Sequence, residues 1–376
     1  MGAPSRMIRA LRPFLKERAG TWAALKRADE QLSVLHHSLA ERVPALIRPA
    51  PRQITIAITA QCNLRCRGCR YGRDFMPGEI LPLEKVREVL DDARAAGVNT
   101  ARFYGGEPLL HPHLPRMIEH ARGIGLDAYI TTNGTHLARR FDELYRAGLR
   151  WMTIGFYGVE DAYDDYTQRT GHFARLRAGI EAVRARAGGE VQIQINFVLS
   201  RRSCSLEALH AAWAFARELD LYFSIDPISE VIPFFTNPER DLHLEAEHEA
   251  ALEQVVGELL RLKAEFPHRL PQSVPLLRAL PDLLLRREQV HVPCDAYQLL
   301  WVGADGTVQL CDVHFKLGNV HERPLREMLF TDEHRRAARD GFRLRCPDCS
   351  CKIDSRIRKH AASLRRYGGL APAPRA

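Results

Sequence analysis

The chain has 376 residues, a formal net charge of +8, 45% hydrophobic and 27% charged residues. This is the balance of an ordinary globular protein long enough for two domains, and the lack of any apolar run of about 18 residues excludes a helical membrane span. The charge is uneven: residues 1–52 hold ten Lys or Arg against four Asp or Glu, residues 335–376 hold twelve against three, and the remainder is net negative, so a basic central cleft for nucleic acid is not indicated.

In chain order, residues 5–47 read as two amphipathic helices broken near Gly20, with Met7, Leu11, Phe14 and Leu15 on one face and Leu25, Leu32, Leu35 and Leu39 on another. These faces are expected to pack on the body of the protein, although a basic amphipathic helix also suits a membrane surface or an acidic partner. An apolar, β-branched run at Ile54–Thr59 predicts the first strand, and directly after it ITAQCNLRCRGC places Cys62, Cys66 and Cys69 as C-x-x-x-C-x-x-C. Three thiolates this close can hold three irons of a cubane cluster and leave the fourth without a protein ligand, an open position where chemistry takes place. A structural zinc site is the competing reading, but it needs four closing ligands and usually shows C-x-x-C pairs.

Further strands are predicted at Thr100–Tyr104, Asp127–Thr131, Trp151–Phe156, Val191–Leu199 and Leu221–Asp226, with amphipathic helices near 83–96, 114–124, 137–147, 173–187 and 206–219 between them. Strands alternating with helices imply right-handed crossovers and a parallel sheet, whose ligands sit at the carboxyl ends of the strands. The triad falls at such an end, and so does the GGEP segment Gly105, Gly106, Glu107 and Pro108, whose paired glycines permit close approach of the backbone and whose carboxylate can accept from an ammonium group.

After the sixth strand, IDPISEVIPFFTNPERDLHLE leads into a helix at about 242–265 and is expected to roof the site, with Tyr222, Asp226 and Glu230 as polar candidates. Cys294 and Cys311 then bracket a predicted hairpin with Gly306 at its tip, and Cys346, Cys349 and Cys351 crowd into CPDCSC. The hairpin brings its two cysteines together and the following C-x-x-C closes a four-thiolate site, for which a zinc ribbon is again the alternative. Cys204 stands apart and reads as a small buried hydrophobe. Nine cysteines at metal-ligand spacings, with no signal peptide at the start, predict a reducing, cytoplasmic setting in place of disulfides.

The triad, GGEP at the second strand's end and the C-terminal cysteines together resemble the radical SAM superfamily with a SPASM/twitch-type auxiliary cluster domain. The resemblance covers about residues 52–353. It implies an α/β fold, a partial (β/α)6 TIM-like barrel with a small C-terminal α+β cysteine-rich extension. The expected divisions are a basic helical segment at 1–51, the core at 52–240, a helical linker at 241–290, the auxiliary domain at 291–353 and a basic tail at 354–376. Two 4Fe-4S clusters and S-adenosyl-L-methionine are implied as cofactors. Cys62, Cys66 and Cys69 would hold the reducing cluster, and Cys294, Cys311, Cys346 and Cys349 a single twitch-type cluster, with Cys351 as a spare or exchangeable ligand.

By the same resemblance, the GGEP residues bind the methionine amine, Thr131, Thr132 and Asn133 face the methionine or ribose, Arg169 pairs with the methionine carboxylate, and Asn196 meets the ribose. The bland alternatives are a turn cap for the threonines and Asn133, a solvated arginine and a satisfied strand asparagine. Two positions depart from the family pattern: Gly68 stands where an aromatic usually precedes the third cysteine, leaving Tyr71 to pack on adenine, and Gly155 stands where many relatives carry a serine.

The implied reaction is cleavage of SAM to a 5′-deoxyadenosyl radical and hydrogen abstraction from a peptide or small metabolite, giving a net oxidation or cross-link. Electrons would come from a donor such as flavodoxin or ferredoxin. RNA modification using the basic ends, or a non-catalytic iron-sulfur binding protein, are the alternatives. The cysteine order differs from that of the family's molybdopterin-pathway members.

Overall fold

A computed structural model describes residues 19–229, 231–235, 240–286 and 290–369. Met7, Leu11, Phe14, Leu15, Glu230 and the end of the tail from residue 370 lie outside the described residues.

Six strands, β1 (Gln53–Thr59), β2 (Thr100–Gly105), β3 (Asp127–Thr132), β4 (Trp151–Phe156), β5 (Gln192–Leu199) and β6 (Tyr222–Pro227), pair in parallel and in sequence order. Helices Leu83–Ala95, Leu114–Gly123, Leu137–Arg146, His172–Ala187 and Leu206–Glu218 form the crossovers, with a shorter helix, Glu160–Thr167, before the fourth of them. Strand alternation divides the residues between two faces. Ile54 and Ile56 of β1, Phe103 of β2, Ile130 of β3, Ile154 of β4 and Ile195 of β5 are fully buried in one core with the helices. The opposite face of the same strands carries Thr55, Arg102, Thr131, Thr153 and Asn196. A closed (β/α) barrel normally fills this side with branched apolar residues. Here it is polar.

The sheet does not stop at β1. β7 (Leu299–Val302) pairs in parallel with β1, Gln53 opposite Leu299, and β8 (Thr307–Gln309) and β9 (Lys316–Asn319) follow in antiparallel order to complete nine strands. The expected hairpin is β7–β8, turning at Gly306 with φ +82°, where a Cβ would strike His321 and Asn319. This continuity ties the C-terminal cysteines to the barrel edge.

Side-chain caps start several helices: Ser205 accepts from the Ala208 N–H at 3.1 Å, Ser273 from Leu276 at 3.3 Å and Thr331 from His334 at 3.2 Å. The helix expected from about 242 begins at Glu249, because short 3-10 turns at Arg240–Leu242 and Ala246–His248 intervene. One packing expectation is overturned in the helix Ala19–Arg42. Leu32, Leu35 and Leu39 are 62%, 55% and 46% exposed, and the opposite side docks through His37 and Ala40 against Tyr297 and Phe342. The docked side wins because His37 finds Tyr297 and Asp295 at 3.2 and 3.4 Å, partners the leucines lack. Cys204 is buried in the main core, as expected.

Candidate active site

The triad occupies a loop pinned from outside. Arg67 N–H donates to Tyr166 O at 2.8 Å, Arg70 N–H to Phe234 O at 2.9 Å, and the Arg73 guanidinium to Arg65 O at 2.7 Å. Gly72, at φ +71°, is required because a Cβ there would lie 2.9 Å from Leu64 O and 3.2 Å from the Cys62 Cβ. Burial pushes the Cys62 thiol up to about 12, with Glu107 and Cys69 adding to it, and Cys69 up to about 11. Cys66 is also raised, by burial first and then by the other two cysteines.

The GGEP glycines are explained by β1. A Cβ on Gly105 would sit 2.1 Å from Thr59 O and one on Gly106 2.2 Å from Gln61 O, while the N–H groups of Gly106 and Glu107 donate to those same oxygens at 2.8 Å. The Glu107 carboxylate, expected to meet the methionine amine, is instead completely buried. It accepts from Leu109 N–H at 2.9 Å, Thr132 Oγ1 at 2.7 Å and Asn133 N–H at 2.7 Å. Its three bonds cap the turn at Pro108–Leu110 and lock the end of β3 to β2. Burial raises its pKa to about 7 against the pull of those three donors.

Several other expected residues converge on the loop. Asn133 Nδ2 donates to Asn63 Oδ1 and Arg169 to Asn63 O, both at 2.9 Å. Thr131 lies deeper, on the concave face, bonded to Arg102 Nε at 2.8 Å and Thr153 Oγ1 at 2.7 Å. Asn196 accepts from Gln194 at 2.8 Å on β5. Tyr71 is buried in an aromatic group with Phe75, Tyr104 and Phe234, ring centroids 5.0, 6.1 and 5.2 Å away. The segment after β6 thus closes over the cluster loop. Of the two departures, Gly68 takes φ +71°, a conformation side chains rarely adopt, and the Tyr157 hydroxyl stands 2.6 Å from where a side chain on Gly155 would begin.

The C-terminal cysteines form a second group. Cys294 N–H donates to Phe342 O at 3.2 Å, and Cys311 follows β8 with its thiol 3.6 Å from His314 O. Cys351, expected as the spare, lies within electrostatic reach of Cys349 and Cys311 and 4.0 Å from Asp312 Oδ2. Cys346 has Cys349 as its cysteine neighbour. Cys351 beside it, and then Arg356, lower the Cys349 thiol from its ordinary value.

Three thiols on one short loop and five more on the C-terminal segments are donor sets of the kind that hold iron-sulfur clusters. The buried Tyr71 hydroxyl and Asn63 Nδ2 are under-satisfied beside the triad, as befits the wall of a site for a polar ligand.

Between the two groups lies the polar concave face. The Arg102 guanidinium stacks 4.3 Å over the Tyr104 ring, and Lys352 Nζ reaches Gln53 at 2.6 Å. Asp226, solvent-exposed at the end of β6, and the half-buried Asp312 stand on this face; the surrounding protein raises both carboxyl groups, and Arg102 opposes the rise in each. Tyr104 feels Cys69 on one side and Asp312 on the other. Sequence reasoning had no role for Arg102, Asp312 or Lys352. An arginine inside the otherwise strand-like TARFYGG was the available signal for the first.

Comparison with known proteins gives the same two parts. Residues 56–199 match the radical SAM superfamily and residues 294–352 the SPASM iron-sulfur cluster-binding domain. The chain is 26% identical over 340 residues to the AdoMet-dependent heme synthase of Methanosarcina barkeri, covering 84% of this chain and 93% of that one. It is 32% identical over 156 residues to a GTP 3',8-cyclase of Mycolicibacterium smegmatis, but this spans only 40% of the chain and 43% of the cyclase. Among solved structures, Streptococcus suis SuiB bound to precursor peptide SuiA superposes with a TM-score of 0.58 at 16% identity, over 84% of this chain and 72% of SuiB. The protein anSMEcpe with bound AdoMet and the Cp18Cys peptide gives 0.56 at 15%, over 78% of this chain and 83% of that one. At those identities the structural likeness speaks for the fold.

Proposed function

Because the chain is a radical SAM enzyme with a SPASM domain, we propose that it oxidises a polar, charge-bearing substrate, a small metabolite or peptide, held on the concave face of the barrel. One observation carries this reading: a polar face with Arg102, Asp226 and Asp312 joins the triad at one end to the C-terminal cysteines at the other. When bound, the reduced cluster and SAM supply a 5′-deoxyadenosyl radical that removes a hydrogen atom from the substrate.

The protein's own residues do the rest. Cys62, Cys66 and Cys69 hold the reducing cluster, and Asn63, Asn133 and Arg169 brace the loop that carries them. Gly105 and Gly106 let β2 close on β1, and their main chain would hold the methionine end of SAM. Tyr71, Phe75 and Phe234 cover the site and exclude water, which protects a radical from side reactions. Arg102 offers a guanidinium edge to an anionic group of the substrate, and Asp226 and Asp312 offer acceptors to its N–H or O–H groups.

Cys294, Cys311, Cys349 and Cys351, with Cys346 at their margin, would hold one auxiliary cluster that takes the electron left on the substrate. A small electron-transfer protein would supply reducing equivalents to the triad. Support for a small-molecule substrate comes from the match to the heme synthase along nearly its whole length. Support for a peptide is confined to the shared fold of SuiB and anSMEcpe, both solved with bound peptides.

The test is anaerobic reconstitution with iron and sulfide, iron counting, and assay of 5′-deoxyadenosine after adding SAM and a reductant. About eight irons per chain with deoxyadenosine formation is the expected result. Absence of both iron and SAM cleavage overturns the reading.

A further inference from the structure

We infer that Arg356 sets the reduction potential of the auxiliary cluster, acting as a buried positive charge that favours its reduced state. The inference rests on the reading of the C-terminal cysteines as cluster ligands. Arg356 is 1% exposed and belongs to the largest fully buried side chains of the protein. Its guanidinium donates to Val292 O and Pro293 O through Nε at 3.2 and 3.4 Å, to Cys349 O through Nη1 at 2.6 Å, and to Val292 O and Asp348 Oδ1 through Nη2 at 2.5 and 3.1 Å. These acceptors flank both halves of the cysteine group: Pro293 precedes Cys294, and Asp348 and Cys349 lie in the CPDC turn. One planar fork therefore joins two segments far apart in sequence and brings a permanent cation against Cys294, Cys346 and Cys349.

The charge is incompletely balanced where it stands. Asp348 is the carboxylate that pairs with it, and that side chain is 24% exposed and so partly screened by water. Asp295, next in sequence to Cys294, is already engaged by Lys359 at 2.6 Å and by Ser355 at 2.9 Å. Asp312 lies on the other side of the group, at Cys351, within reach of Arg102 and Lys352. A cluster that gains an electron becomes more negative, and in a low-dielectric surround a nearby fixed cation stabilises that form. An electron-accepting role calls for such a shift. Among the described residues the triad has no comparable partner: Arg73, the cation against Cys66 and Cys69, lies on an exposed network with Arg65 O and Gln168.

The experiment is a potentiometric titration, followed by electron paramagnetic resonance, of the reconstituted full chain, comparing the native protein with Arg356→Met and Arg356→Lys and with iron counted in each sample. In Arg356→Met the reduced-to-oxidised ratio of the auxiliary signal at a fixed potential should fall about tenfold, equivalent to about 59 mV for one electron, and Arg356→Lys should recover most of it. A fully loaded Arg356→Met protein titrating at the native potential overturns the inference. Should that variant fail to load, Asp348→Asn, which removes the counter-charge, must raise the potential, and an unmoved value there overturns it equally. Iron of about four per chain in the native protein would refute the auxiliary cluster itself, and the inference with it.

Discussion

The two cysteine groups are built on opposite plans. The triad sits on one continuous loop of Cys62–Cys69, braced by main-chain bonds to Tyr166 and Phe234 and by exposed pairs such as Arg67–Asp165 at 2.9 Å, and all its thiols are pushed up by burial. The C-terminal group gathers cysteines from separate segments around the buried Arg356; burial raises Cys294, Cys311 and Cys346 there as well, while Cys349 is lowered by its neighbour Cys351. A loop held at its edges leaves one side free for a ligand. The C-terminal group is wound around a buried cation, and a small cavity lined by Asp348, Cys349 and Arg356 adjoins it.

The largest effect that would break this comparison is loss of a single thiol from each group. Cys66→Ala should abolish 5′-deoxyadenosine formation and remove about four irons, whereas Cys349→Ala should remove a similar amount of iron while retaining part of the SAM cleavage. Product chromatography and iron counting read both. Gly106→Ala comes next, because its new methyl would stand 2.2 Å from Gln61 O. The β1–β2 rim must open to relieve that clash, and a loss of roughly 3 kcal/mol in denaturant unfolding, with poor iron loading, is expected.

Glu107 sharpens the comparison through pH. Its pKa is about 7 in the folded chain against 4.5 for the free group, so between these values the folded state binds the extra proton. Its contribution is therefore full below about pH 4.5 and is lost as pH rises through 7, by roughly 1–3 kcal/mol in the cluster-free protein. Glu107→Gln should flatten that part of the curve. The sign reverses for His37, lowered from 6.5 to about 4 by burial: its contribution is present above 6.5 and lost as pH falls through 4. Acid should then release the helix Ala19–Arg42 from Tyr297 and Phe342, followed by hydrogen exchange, and His37→Gln should lessen this acid dependence. The smallest effect belongs to Leu32→Gln and Leu35→Gln, whose exposed side chains predict stability changes within about 0.5 kcal/mol by thermal melt.

Much of the barrel was legible in the residues. All six strand positions agree with the alternation to within a residue or two at each end, since period-2 patterning and Gly or Pro punctuation are local properties. The cysteine groupings were also legible from spacing. Side-chain direction was less so. Glu107 reads as a ligand carboxylate in GGEP, yet three donors from its own chain absorb it. The leucines of the first helix read as a core stripe, yet His37 and Ala40 face the protein.

By itself the sequence determined the strand and helix order, the two cysteine clusters and the glycines at the rim, because each depends on neighbours within a few residues. Only the tertiary structure decided that Arg102, Asp226 and Asp312 stand on one face and that Arg356 lies among the C-terminal cysteines. Those residues come from different strands and loops, and burial and charge pairing act only once the chain has brought them together.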